Sequence, residues 1–109
     1  MKVLIDDLVY QVRYLGIKTP EDENYAQMAT FKNGEHVYLK EITLIGDGID
    51  KDPVGRLLRY VTVDDKFVNL ELIHQGYALV DETMPASACA QVFESAEEDA
   101  RTAQRGIWK

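Results

Sequence analysis

Two aspartate pairs, Asp6-Asp7 and Asp64-Asp65, each sit between short runs rich in β-formers. That pattern limits what this chain can become. Val3 to Ile5 and Leu8 to Ile17 flank the first pair. Leu57 to Val63 and Phe67-Val68 flank Asp64-Asp65-Lys66. Turns this short join antiparallel neighbours, because a parallel crossover needs a dozen or more residues. A helical bundle is excluded, and doubly wound βαβ architecture is disfavoured.

Other segments read as helix or loop. Pro20 ends the second run, and Glu21-Asp22-Glu23-Asn24 places acids at a helix start. A helix is expected from about Asn24 to Lys32, stopping at Asn33-Gly34. His36 to Ile45 reads as a third strand and Gly46 to Pro53 as a loop. Asn69 is expected to cap a helix from Leu70 to Gln75 that Gly76 closes. Tyr77 to Val80 reads as a brief extended piece. A last helix, Ala86 to Gln104, would bury Val92, Ala96, Ala100 and Ala103. The fold class is therefore α+β: a curled, five-stranded, partly open barrel of OB-fold type with three α-helices.

With 109 residues, 46% of them apolar, the chain fits one domain over residues 1–109 with a single core. No apolar run is long enough to cross a bilayer, and nothing reads as a signal peptide. The cytoplasm is the favoured compartment, and no membrane partner is expected. Cys89 is the one cysteine, so no internal disulfide can form; among small residues it reads as a buried apolar side chain. The net charge of −7 opposes generic nucleic-acid binding but leaves room for a local basic cleft.

Chemistry gathers in two places. Val12 to Glu21 delivers Arg13 from a β run, on a face shared with Val9, Leu15 and Ile17, then breaks at Thr19-Pro20-Glu21. Asp52 to Arg56 presents a second arginine after an Asp-x-x-Gly turn. Two guanidinium forks and a carboxylate are the parts that hold a phosphodiester and organise water for attack on it.

These pieces, with Val-Asn-x-Glu-Leu (68–72), Gln-Gly-Tyr-Ala-x-Val (75–80) and Ala-x-x-Ala-x-Arg-Gly-Ile-Trp (100–108), stand in one order along nearly the whole chain. Together they resemble the staphylococcal nuclease (thermonuclease) family. The resemblance implies an OB-fold barrel with a cleft for single-stranded nucleic acid or a nucleotide. It implies phosphodiester hydrolysis assisted by calcium. Arg13 and Arg56 match its phosphate-binding arginines and Glu21 its general base or water organiser. Thr19 matches a residue whose carbonyl reaches the metal, and Asp52 the acid ahead of the Gly-Arg turn; both are weak metal candidates here. Asn69, Gly76 and Trp108 match scaffold positions.

The chain departs from the pattern at the metal. Lys18 stands where the family has an aspartate, and an ammonium there repels a cation. Counted back from Arg13, the family's other aspartate falls ahead of Met1. The family's N-terminal metal-binding segment is thus expected to be absent from residues 1–109. Glu82 and Met84 stand near the positions of the family's stacking tyrosines. The expectation is a calcium site lost, with Lys18 pairing with Glu21 or Asp22, and a nuclease weakened or inactive. The alternatives are a non-catalytic barrel that binds nucleic acid or a protein partner, and a scaffold completed by residues from elsewhere.

Blander roles compete for the same residues. Arg13 and Arg56 could be structural partners of Glu21 and Asp52, and Glu21 could cap the first helix. Asp47, Asp50 and Asp52 mimic a calcium loop but lack the bidentate acid such a loop needs. His36 and His74 have no ligand spacing. Glu94, Glu97, Glu98 and Asp99 read as a solvated helix face, with Glu97 open to a local pair, and the tyrosines as barrel packing.

Overall fold

The computed structural model describes residues 2–83 and 88–109. β1 (Lys2–Ile5) and β2 (Leu8–Tyr14) form the first hairpin, with Ile5 opposite Leu8 and both turn aspartates at positive φ. β5 (Leu57–Val63) and β6 (Lys66–Phe67) form the second, with the same left-handed pair at Asp64 and Asp65. Short polar side chains tolerate this conformation, which matches the twist of a two-residue hairpin. The five-stranded curled sheet runs β1-β2-β5-β4, with β6 also on β5, and β4 is Thr43–Ile45. β3 (Ile17–Lys18) and β7 (Leu79–Val80) form a separate antiparallel ribbon. With three α-helices the fold is α+β and OB-like, as expected.

Several expected boundaries move. The second β run does not continue to Ile17: Gly16, at φ 76°, ends the pairing with β5 and starts β3 on a new partner. β2 and β5 pair in parallel, Val12 to Tyr14 against Leu57 to Arg59, so one parallel neighbour exists despite the hairpins. α1 (Glu23–Val37) runs through Asn33-Gly34 instead of stopping there. Gly34 keeps a right-handed backbone, and Tyr14 donates a 2.6 Å hydrogen bond to Asn33 Oδ1, fastening the last turns to β2. The predicted strand 36–45 therefore loses His36 and Val37 to the helix and residues 38–42 to the turn that follows it, and only Thr43–Ile45 pairs.

Asn69 does not cap a helix. It lies inside α2 (Val68–His74), fully buried, where its Oδ1 accepts from the Val61 N–H at 2.9 Å and its Nδ2 donates to the Leu15 carbonyl at 3.0 Å. One amide thus joins α2, β5 and the end of β2. α3 (Ala90–Thr102) buries Phe93, Ala96 and Ala100, whereas Val92 and Ala103 are exposed. The stripe is rotated from the expected one because Phe93 anchors it, packing against Tyr60 and Phe67. Ala86 and Ser87 of the predicted helix, and Met84, lie outside the described residues.

The core joins Leu15, Leu58, Val61, Val63, Val68, Ile73 and Phe93 between the sheet and the α2–α3 layer. Behind it, Gly76 and Gly106 meet backbone to backbone, both at positive φ. A Cβ on either would lie 2.2 Å from a carbonyl oxygen across the contact, and Ile107 N–H donates to the Gly76 carbonyl at 2.9 Å. This seats the terminal 3₁₀ turn (Gly106–Trp108) on the end of α2.

Candidate active site

The register of the parallel pair places both arginines. Arg13 is opposite Leu58, and Arg56 lies just ahead of β5, two residues before Leu58, where the Asp52–Gly55 turn delivers the chain to the strand. Both guanidiniums are partly exposed, at 30% for Arg13 and 39% for Arg56. The parallel register carries the two backbone positions to the same end of the β2–β5 pair.

Each fork is steadied by a carboxylate. Arg56 Nε donates to Asp52 Oδ2 at 2.6 Å, one of the structural pairings expected. Asp52 Oδ1 accepts from the Val54 N–H at 3.1 Å and the Arg56 N–H at 2.9 Å, bending the chain through Pro53-Val54-Gly55 so that the arginine emerges. Desolvation of Asp52 acts to raise its pKa, but the bonds from Arg56 and Val54 outweigh it and hold the carboxyl below its usual value.

Arg13 pairs with Asp81 rather than Glu21: Nη2 to Oδ2 is 2.8 Å. Asp81 is buried, and its Oδ1 accepts from the Thr83 N–H at 3.0 Å and the Thr83 hydroxyl at 2.6 Å. Burial acts to raise its pKa, yet the Thr83 bonds and Arg13 hold it below the usual value. Its backbone is fixed as well. Asp81 N–H donates to the Gly16 carbonyl at 2.9 Å, and Val80 N–H donates to Glu97 Oε2 of α3 at 2.8 Å. Sequence reasoning missed Asp81; it gave Glu97 a local pair, which forms with Arg101, but not the bond to β7. The available signal was an acid directly after a β run, opposite the strand break at Gly16.

The Thr-Pro-Glu turn follows β3. Pro20 is buried, and Thr19 and Glu21 are exposed. Among the described residues Glu21 forms no ion pair with either arginine or with Lys18. Capping falls to Asp22, whose Oδ1 accepts from the Asn24 N–H at 3.0 Å and the Tyr25 N–H at 3.3 Å. The expected pairing of Lys18 with Glu21 or Asp22 does not form: Lys18 is exposed on β3 opposite Leu79, and Asp22 turns to its helix.

The acids of the 47–52 loop diverge, each to its own partner. Asp47 Oδ2 accepts from the Tyr60 hydroxyl at 2.6 Å and the Ala88 N–H at 3.2 Å, and Asp50 pairs with Arg59. Burial, then the Asp47 contact, raises the Tyr60 pKa above its usual value. Among the described residues no group of three or more His, Cys, Asp or Glu side chains is placed to hold a metal ion. No helix among them is long and apolar enough to cross a membrane.

The family model described as staphylococcal nuclease homologue matches residues 11–109. The SPbeta prophage-derived endonuclease YokF of Bacillus subtilis (strain 168) is 34% identical over 117 residues, covering 99% of this chain and 40% of YokF. Endonuclease YncB of the same organism is 32% identical over 117 residues, covering 99% of this chain and 56% of YncB. The chain thus spans about half the length of these curated relatives.

Proposed function

The chain belongs to the staphylococcal nuclease family, and from that premise we propose a nucleic-acid phosphodiesterase domain whose phosphate clamp is Arg13 and Arg56, with activity below that of a metal-assisted enzyme. The observation that supports this reading is that Arg13 on β2 and Arg56 at the entry to its parallel neighbour β5 are each held by a carboxylate while remaining partly exposed. Asp81 touches one nitrogen of Arg13, so most of the five N–H donors of that fork remain for phosphate oxygens. Such donors strengthen as charge grows on the phosphoryl oxygens during attack. Glu21, exposed beyond the buried Pro20, is the carboxylate free to take a proton from water.

Calcium, which the family generally uses, does not fit the donors of this chain. Lys18 contributes an ammonium beside Thr19, both oxygens of Asp52 serve Arg56 and its turn, and both oxygens of Asp81 are bonded.

A second reading, a binding module without catalysis, is favoured by one observation: Glu21 has no partner among the described residues that would aim it at a water. Both readings are tested by incubating single-stranded DNA and RNA with the protein in calcium, magnesium or chelator, beside Arg56→Ala. Cleavage abolished by that change supports the enzyme. Salt-sensitive binding without cleavage, weakened by Arg56→Ala, supports the module. Neither cleavage nor binding refutes both.

A further inference from the structure

The misfit with calcium has a counterpart in the charges that are present. Gly16, Ile17 and Lys18 run antiparallel to Leu79, Val80 and Asp81: Lys18 opposes Leu79, Ile17 opposes Val80, and Asp81 N–H bonds the Gly16 carbonyl. Opposed residues share a face and alternate residues return to it. Lys18 and Asp81 therefore leave the same side of the β3–β7 ribbon as diagonal neighbours. Their Cβ atoms are about 7–8 Å apart, within reach of a long side chain. Asp81 holds Arg13 at 2.8 Å, so the guanidinium is anchored at the residue that neighbours Lys18 diagonally across the ribbon.

Arg13 is balanced by Asp81 and Arg56 by Asp52. Among the described residues Lys18 is the cation of this face with no carboxylate partner. A phosphodiester approaching a protein of net charge −7 needs a local uncompensated positive charge, and Lys18 supplies it. A lysine ammonium also suits this place, being a compact charge on a flexible stem that can follow a phosphate oxygen. Asp81 keeps the two cations from repelling each other before the anion arrives.

We propose that Lys18 is a direct phosphate ligand of this site, forming with Arg13 and the intervening Asp81 an anion subsite that works without a divalent cation. Asp81 is its positioning residue: it touches Arg13, not the substrate. The proposal rests on the nucleic-acid reading above and gives that reading a specific prediction, nucleic-acid affinity that is indifferent to metal.

The test is fluorescence-anisotropy titration of a labelled single-stranded thymidine oligonucleotide with the folded protein, in excess chelator and in calcium, over a salt series. The expected result is equal affinity with and without calcium. Lys18→Ala should weaken binding about five- to tenfold and make the salt slope shallower by about 0.7. Lys18→Arg should restore most of the affinity. Lys66→Ala, on the remote β5–β6 hairpin, should change nothing. Lys18 is exposed, so these variants are expected to fold, and circular dichroism checks it. Binding that requires calcium overturns the proposal. So does an unchanged affinity for Lys18→Ala where Arg13→Gln still weakens binding, an outcome that leaves the nucleic-acid reading standing. Equal losses for Lys18→Ala and Lys66→Ala also overturn it, showing only bulk charge. If the unmodified protein binds under no condition, the nucleic-acid reading fails and takes the proposal with it.

Discussion

Replacing Asn69 with aspartate exchanges an NH₂ for an oxygen at a fully buried site. One oxygen can still accept from the Val61 N–H, but the other now faces the Leu15 carbonyl, where the parent amide donated at 3.0 Å. Ionised, that carboxylate is buried against a carbonyl lone pair. Protonated, it donates to Leu15 and both bonds return. Its pKa in the folded state must therefore rise above the unfolded value of about 3.9, toward the ~8–9 known for buried carboxyls. A folded pKa that is raised gives a stability present below the unfolded pKa and lost as pH climbs. The loss is about 1.4 kcal/mol per unit. Between about pH 4 and pH 7 it reaches about 4 kcal/mol, a large part of the ~5–15 kcal/mol that holds a domain together. Urea unfolding of Asn69→Asp and its parent, followed in parallel across that range, reads the difference directly, and acid effects common to both cancel. Near pH 4 the two should lie within about 1 kcal/mol of each other. A difference that is flat across the range, or stays under about 1 kcal/mol at pH 7, would refute the bridging role of this amide.

Arg13→Ala should weaken oligonucleotide binding and also destabilise the fold by about 1–3 kcal/mol, because it strands the buried Asp81; thermal unfolding beside a binding titration reads both. Asp52 and Asp81 both have lowered pKa values, so the stability they confer is present above about pH 4 and is lost as pH falls through their folded values. Asp81→Asn should flatten that acid decline, and urea melts between about pH 2 and pH 5 measure it. Tyr14→Phe should cost about 1 kcal/mol by freeing the end of α1 from β2. In the parent, burial holds the Tyr14 phenol protonated up to about 12, the Asn33 bond opposing it, and ultraviolet titration should show one tyrosine ionising near that value. Gly76→Ala should cost about 2–5 kcal/mol, from left-handed backbone strain plus the clash with the Arg105 carbonyl, and a melting curve within about 1 kcal/mol of the parent would contradict it.

Legibility followed the range of the interaction that decides each element. The Asp6-Asp7 and Asp64-Asp65 hairpins were readable because their conformation is set by adjacent residues. Arg13 and Arg56 were readable because a strand and a tight turn carry them. The length of α1 was not, because the bond from Tyr14 that carries it past Gly34 comes from a strand far back in the chain. Asn69 was misplaced for a similar reason: its hydrogen-bond partners, Leu15 and Val61, lie in other elements, whereas capping is a local rule. The partner of Arg13 is 68 residues away in sequence, and no spacing rule points from one to the other.

The crossing of Gly76 and Gly106 has a consequence for how such a sequence can drift. A methyl group on Gly76 would run into the Arg105 carbonyl just ahead of Gly106, and one on Gly106 into the Gly76 carbonyl, so the two positions are coupled in an unfavourable sense. A change at one is not rescued by a change at the other; it is compounded. Point mutation thus offers no gradual route away from this pair, short of a shift of the whole terminal turn. The turn is tied in turn to α3, where the Arg101 guanidinium lies over the Trp108 ring. The cleft residues could diverge, as Lys18 has, while this crossing behind the core held its two smallest residues in place.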